Sequence, residues 1–209
     1  MSPSIIGSGA KTVFYKDSKF LVYPEVYEPA EDTFLLADNL DVRRGELVLE
    51  LGTGCGLLVI LAAKAAANVV ATDISSAALE CARTNAVANG VENCIDFRLG
   101  DLFEPVVGER FDLVIFNPPY LPTESEEVLH GPLDRAWQAG PDGRMVIDRF
   151  LNELPEHLTP KGRSIFLQSS LSDISKTLQN LKMNSFQVEI IREKLSFEEL
   201  FLLRCRASK

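Results

Sequence analysis

Leu47-Val48-Leu49-Glu50-Leu51-Gly52-Thr53-Gly54-Cys55-Gly56 is an apolar run that ends in three alternating glycines. A short apolar segment with no polar alternation fits a strand buried on both faces, as in a parallel sheet. Glycines at its end let the backbone turn tightly and approach a ligand closely. In doubly wound sheets, ligands bind beyond the carboxyl ends of the strands. The spacing is G-x-G-x-G with an acid ahead of it, which departs from the dinucleotide fingerprint G-x-G-x-x-G. Glu50 is a carboxylate on an apolar strand, a costly placement unless it is partnered. A cationic ligand or an ordered water satisfies it.

Working outward, strand and helix patterns alternate. The sequence predicts a helix from Leu57 to about Ala67, a strand over Val69–Thr72, a helix over Ser76–Asn89, a strand over Cys94–Arg98 and another over Leu113–Phe116. Leu121 to Gly143, rich in proline and glycine, reads as a long loop, and such loops in compact domains are usually functional. Ile147, Phe150, Leu151, Leu154 and Leu158 recur at helical spacing and predict a helix over 144–158. Thr159-Pro160-Lys161-Gly162 turns into a strand over Ser164–Gln168. A helix over Leu171–Leu181 carries Leu171, Ile174, Leu178 and Leu181 as one stripe. Two last strands, Gln187–Ile191 and Leu200–Arg204, read as antiparallel neighbours. This alternation predicts an α/β doubly wound fold, a seven-stranded, mostly parallel sheet with an antiparallel last strand. Upstream, Val13–Tyr15 and Phe20–Tyr23 look like short strands and Glu31–Leu40 like a helix. Residues 1–44 therefore read as an N-terminal extension and residues 45–209 as the main domain.

The bulk numbers fit this. The 209 residues are 46% hydrophobic and 24% charged, ordinary values for a globular chain of one domain with an extension. The formal charge is -9 and the pI about 4.8, which counts against duplex nucleic acid as a partner because phosphate binding draws on basic faces. Cys55, Cys81, Cys94 and Cys205 form no C-x-x-C pair and only two histidines occur, so no metal site is expected and the thiols read as free and mostly buried. There is no signal-peptide layout and no apolar run long enough to span a membrane. A cytoplasmic location is expected.

Acids recur where strands end. Asp73 lies 21 positions after Gly52, where a carboxylate can accept from ribose hydroxyls; it could equally cap the helix near Ser76. Asp101, in Leu99-Gly100-Asp101-Leu102-Phe103, can accept from an adenine amino group while Leu102 packs on the ring, or serve as a turn residue. Asn117-Pro118-Pro119-Tyr120 follows the fourth strand directly. Its two prolines fix φ and remove two backbone donors. The Pro118 carbonyl stays outside any regular ladder, and the Asn117 side-chain oxygen is a second acceptor. Two acceptors side by side suit an NH2 on a planar carbon, whose lone pair is delocalised. Holding both protons aims that lone pair at an electrophile, so catalysis is positioning plus stabilisation of developing charge. Tyr120 offers a flat stacking surface. The alternative is an ordinary Asn-Pro turn.

Together these residues resemble the HemK-type glutamine N5-methyltransferases, which modify the Gly-Gly-Gln loop of translation release factors. Tyr27-Glu28-Pro29-Ala30-Glu31-Asp32-Thr33-Phe34 is similar to the N-terminal segment of the short archaeal and eukaryotic branch, and the extra helical domain of the bacterial members is missing from this sequence. The resemblance implies S-adenosylmethionine as cofactor. It implies Glu50, Gly52, Gly54, Asp73, Ile74, Asp101, Leu102 and Asn117 as cofactor contacts, with Asp32 and Thr33 at the amino or carboxylate end of the methionine part. It implies Asn117, Pro118 and Tyr120 as the catalytic set. Trp137-Gln138-Ala139-Gly140-Pro141-Asp142-Gly143-Arg144 resembles the loop beside the substrate channel, although the family often has paired glycines in place of Gly140-Pro141. A small zinc-binding activator subunit is implied as partner, paired along an edge of the sheet. Three other readings stand beside this one: methylation of an exocyclic base amine in RNA or DNA, methylation of protein lysine, and a non-catalytic cofactor-binding module.

Overall fold

The computed structural model describes residues 9–65, 68–122 and 139–207. Seven strands form one sheet: β3 (Leu47–Leu51), β4 (Asn68–Asp73), β5 (Ile95–Leu99), β6 (Phe111–Phe116), β7 (Leu158–Ser169), β8 (Phe186–Lys194) and β9 (Glu199–Ala207). Their order is β5-β4-β3-β6-β7-β9-β8. β3, β4, β5, β6 and β7 pair in parallel, and β9 is antiparallel to both β7 and β8. This is the doubly wound sheet the alternation predicts.

The apolar runs have a physical reason. Val48, Leu113 and Ile115 point into one core layer, while Leu49, Leu51, Val114 and Phe116 point into the other. With both faces covered, the strands show no polar alternation. The first layer is roofed by α1 (Glu31–Asp38), α2 (Leu57–Lys64) and α3 (Ser76–Ala88). The second is covered by α4 (Met145–Glu153) and α5 (Ile174–Met183), with Phe150 set between Phe103, Phe116 and Phe166. Edge strand β8 is buried only at Phe186 and otherwise partly or fully exposed, and it carries Glu189, Arg192, Glu193 and Lys194, charges that discourage further pairing.

The N-terminal hairpin of β1 (Lys11–Tyr15) and β2 (Ser18–Val22) is an antiparallel pair. It is tied to the main sheet by Asn85, a buried amide on α3. Asn85 accepts from Leu21 N at 2.8 Å and donates to the carbonyls of Leu21 and Cys55. One polar side chain thus joins the hairpin to the glycine loop.

Several expectations need correction. The helix predicted over 144–158 stops at Glu153. A 3-10 turn over Leu154–His157 follows, since Pro155 cannot continue the hydrogen-bond ladder, and Leu158 opens β7. The turn at Thr159–Gly162 is absorbed into β7 as a bulge: Phe111 pairs with Leu158 and Leu113 already pairs with Arg163. Leu171 leaves the predicted stripe. It sits half exposed in a 3-10 turn, and α5 begins at Ile174 because Asp173 caps it, accepting from Lys176 N. Cys94 lies in a 3-10 turn ahead of β5 and is exposed, whereas Cys55, Cys81 and Cys205 are buried; all four are free. α2 ends at Lys64, and the predicted tail at 66–67 lies outside the described residues. So do most of the long loop, 123–138, and Trp137 within it. Among the described residues no helix is long and apolar enough to cross a membrane.

Two glycines of the loop after β3 differ in what they forbid. Both have positive φ, +54° at Gly54 and +86° at Gly56. A Cβ on Gly54 meets nothing within 4 Å, but one on Gly56 lies 2.9 Å from the Ala82 Cβ on α3. Gly54→Ala is therefore expected to cost only the left-handed backbone, about 1–2 kcal/mol. Gly56→Ala adds the separation of two packed helices and is expected to cost about 1–3 kcal/mol more. Urea unfolding measures both, and equal losses would contradict this account.

Candidate active site

Because β3, β4, β5 and β6 run parallel, their carboxyl ends open onto one cleft of about 530 Å³, within the roughly 300–1,000 Å³ usual for small-molecule sites. The sequence order reverses between β3 and β6, the switch point at which such sheets bind ligands. The structure brings every predicted site residue to this cleft: Asp32 and Thr33 from α1, Glu50 and the loop with Gly52 and Gly54, Asp73 and Ile74 after β4, Asp101 and Leu102 after β5, and Asn117, Pro118 and Tyr120 after β6.

Asp73 does not cap α3. Ser75 does, its hydroxyl accepting from Ala78 N. Asp73 instead accepts from Gly54 N at 3.0 Å and from Ser75 N at 2.8 Å, which fixes the carboxylate across the glycine loop. Burial raises its pKa despite these backbone donors. Backbone donors, Ile74 among them, thus fill about three of its roughly four lone-pair sites and leave some acceptor capacity. Ile74 is 43% exposed, a large apolar side chain on the cleft wall. Leu102 is buried in the left-handed region at φ 48°, a conformation of order 1–3 kcal/mol above ordinary backbone. Asp101, expected as an acceptor for an adenine amino group, forms an ion pair with Arg149 of α4 at 2.8 Å through one carboxylate oxygen. The sequence reading passed over Arg149. Nothing in a helical stretch of mixed charges marked it as facing the cleft.

Glu50 is 3% exposed; it accepts from the Thr53 hydroxyl at 2.8 Å, and the Val59 backbone N–H in the first turn of α2 also favours its ionised form. Burial pushes its carboxyl up to about 8. Among the described residues, seven carboxyl side chains line the cleft (Glu25, Glu31, Asp32, Glu50, Asp73, Asp101 and Glu198) against one guanidinium, Arg149. Such a site favours a cationic ligand. Glu25 and Glu198 also escaped the sequence reading. Glu198 arrives from the β8–β9 turn, far along the chain.

At the end of β6 the Asn117 amide is held in one orientation. Its Nδ2 donates to Asp32 Oδ2 at 3.0 Å and approaches Thr33 Oγ1 at 3.4 Å. Its Oδ1 is buried with no partner among the described residues. A buried acceptor left unmade costs about 1–3 kcal/mol, so the amide is poised for a donor that arrives from outside the fold. Among the described residues nothing donates to the Pro118 carbonyl either. Tyr120 is half-buried, and its hydroxyl donates to Asp32 Oδ2 at 3.2 Å. Burial and the Asp32 charge push the Tyr120 phenol up, so it stays protonated. The polar group of Tyr120 is thereby engaged and its ring remains as cleft wall. Among the described residues no cluster of His, Cys, Asp and Glu could hold a metal ion.

The methyltransferase small domain family model matches residues 28–198. A Methanocaldococcus jannaschii chain named as a protein N5-glutamine methyltransferase is 46% identical over 187 residues, covering 88% of this chain and 93% of that one. The Homo sapiens methyltransferase HEMK2 is 35% identical over 176 residues, covering 79% of this chain and 81% of that one. A solved structure, the E. cuniculi Mtq2–Trm112 complex responsible for methylation of the eRF1 translation termination factor, matches with a TM-score of 0.70 at 28% identity. That match covers 88% of this chain and 99% of the other.

The Glu50 carboxyl carries a pH signature. Its pKa rises from 4.5 to about 8 on folding, so between those values the folded chain keeps a proton that the unfolded chain releases. Stability of the ligand-free protein therefore falls as pH rises through that window. Glu50→Gln is expected to flatten the decline and to raise the melting temperature most near pH 8. Parallel melting curves for the two proteins between pH 5 and 8 would refute the assignment.

Proposed function

This chain belongs to the methyltransferase small domain family and, within it, to the HemK-type methyltransferases, and on that footing we propose that it methylates the side-chain amide nitrogen of the glutamine in the Gly-Gly-Gln loop of a translation release factor. The observation that carries the reading is the pair of acceptors at the end of β6, Asn117 Oδ1 and the Pro118 carbonyl, that have no donor among the described residues.

The methyl donor is S-adenosylmethionine, which supplies a methyl group on a cationic sulfur. The cleft residues fit it in kind. Asp73 has capacity for ribose hydroxyls, and Ile74 and Leu102 supply apolar contact for the base. Asp101, oriented by Arg149, lies beside them. Glu50 is a buried carboxyl whose ionised form a bound cation stabilises. The N-terminal extension closes over this part of the cleft through the segment from Glu25 to Thr33. On the acceptor side, Asn117 Oδ1 and the Pro118 carbonyl take the two protons of the substrate NH2 and turn its lone pair inward. The Tyr120 ring stacks on the planar amide.

The rival substrates fit less well. Seven carboxyls against one guanidinium repel a phosphate backbone, which disfavours base amines in RNA or DNA. The same acids hold a lysine side chain as ammonium, which has no lone pair to attack with. A small zinc-binding activator subunit completes the proposal, docked along the β5 edge of the sheet, where Leu99 is 60% exposed. The setting is the cytoplasm, consistent with four free thiols.

Mass spectrometry of a release factor incubated with labelled cofactor and the chain, with and without activator, is expected to find one methyl on the loop glutamine. A methyl on lysine or on nucleic acid instead would overturn the reading. Asn117→Ala is expected to lower turnover by about 10²–10³-fold, the scale of one lost transition-state contact. Asp73→Ala is expected to weaken cofactor binding about tenfold, the equivalent of one hydrogen bond, read by calorimetry.

A further inference from the structure

We propose that Asp32 is the positioning residue of this site: its carboxylate fixes which way the Asn117 amide faces, and so links the docking of the N-terminal segment to substrate alignment. The inference rests on the methyl-transfer reading above and deepens it. It also departs from the family resemblance, which implies Asp32 as a contact of the cofactor.

The argument begins with capacity. A carboxylate has two oxygens and about four lone-pair sites. Asp32 Oδ1 accepts from Thr33 N, from the Thr33 hydroxyl at 3.1 Å and from the Tyr27 hydroxyl at 3.0 Å. Asp32 Oδ2 accepts from Asn117 Nδ2 at 3.0 Å, from the Tyr120 hydroxyl at 3.2 Å and from the Tyr27 hydroxyl at 3.0 Å. Five donor groups from this chain share about four sites. Asp32 is 5% exposed. It has no acceptor capacity left for a cofactor ammonium.

The next step is orientation. An asparagine amide can turn over, exchanging its oxygen for its NH2 at nearly the same position. In one orientation the cleft receives an acceptor, in the other a donor. A donor facing a substrate NH2 repels it. Asp32 is acceptor-only when ionised, so it holds Nδ2 and leaves Oδ1 as the free acceptor of an amide that lines the cleft. The buried, unpartnered Oδ1 is the consequence of that choice. Tyr27 and Tyr120 hold the carboxylate in turn, and burial and its charge keep both phenols protonated.

Position in the chain gives the link. Asp32 stands in the first turn of α1, 85 residues before Asn117. The same N-terminal segment lines the cleft with Val26, Tyr27 and Pro29. The acceptor amide is therefore aligned only while that segment is seated.

The test combines cofactor affinity, turnover and the Asn117 side-chain signal. Asp32→Asn offers an NH2 of its own and lets Asn117 turn over. Cofactor Kd, by calorimetry with S-adenosylmethionine, is expected to stay within about threefold. Turnover on the release factor at saturating cofactor is expected to fall about 100-fold, the scale of a misaligned reactant. In an Asn117→Ala background the same change is expected to add less than about twofold, since the residue it acts through is gone. A tenfold weaker Kd with unchanged turnover would make Asp32 a cofactor contact and end the proposal. So would additive losses in the double variant. The amide readout needs no turnover and separates this proposal from the choice of substrate: in a 15N spectrum assigned with Asn117→Ala, the Asn117 side-chain NH2 of the wild type should exchange slowly with water. Rapid exchange overturns the positioning role whether or not the release factor is methylated. A wild type with slow exchange that leaves the release factor unmodified would instead overturn the substrate assignment alone.

Discussion

Burial of both faces of the central sheet is the constraint on which the rest of this molecule depends. It requires helices on either side, and right-handed crossovers then bring β3, β4, β5 and β6 out at the same end. Every functional side chain is reached from that common end. The glycine loop, Asp73, Asp101 and Asn117 belong to four separate strands and share one cleft because those strands are parallel. Register does the fine placement: Leu51 lies opposite Thr72 on one side and Phe116 on the other, so the loops beyond them leave at one level.

The cleft is electrostatically unfinished by the fold alone. Glu50 is buried with neutral donors alone, the Thr53 hydroxyl and the Val59 backbone, and the Asn117 oxygen has no partner among the described residues. Elsewhere the protein pairs its buried charges. Arg163 meets Glu46, and Arg144 spans Asp148, Thr177 and two loop carbonyls. Among the described residues, buried polar atoms without a partner occur in the cleft, at Asn117 Oδ1 and Glu198 Oε2, and outside it, at Gln168 Oε1 and Arg204 Nε; an amide donor would satisfy the first of these.

Much of this was legible in the sequence, and the limits follow from range. Apolar runs and helical spacing report local burial, so β3, β4 and β6 were readable to within a residue or two. The glycine loop and Asn117-Pro118-Pro119-Tyr120 were readable because their chemistry is local. The end of α4 was missed because Leu158 keeps the helical period by coincidence, although Pro155 carried the contrary signal. Leu171 was misplaced because Asp173, two residues on, supplies a stronger start for the helix. Asp32 was recognised as a site residue, but its donors Asn117 and Tyr120 lie more than eighty positions away. No local pattern encodes that meeting. The Arg149–Asp101 pair was hidden for the same reason.

The placement of β9 bears on how the chain assembles. It follows β8 in sequence yet lies between β7 and β8. β8 consequently pairs in the sheet with β9 alone, and the two strands form a hairpin closed by the turn in which Leu195 N donates to Glu198 O. Long-range pairing of this kind is slow, because the loop must close before the contacts reward it. Leu195, Glu198 and Leu200 are also part of the cleft wall. The hairpin is thus one wall of the cleft, and a nascent chain that has not yet recruited it leaves the cleft open on that side.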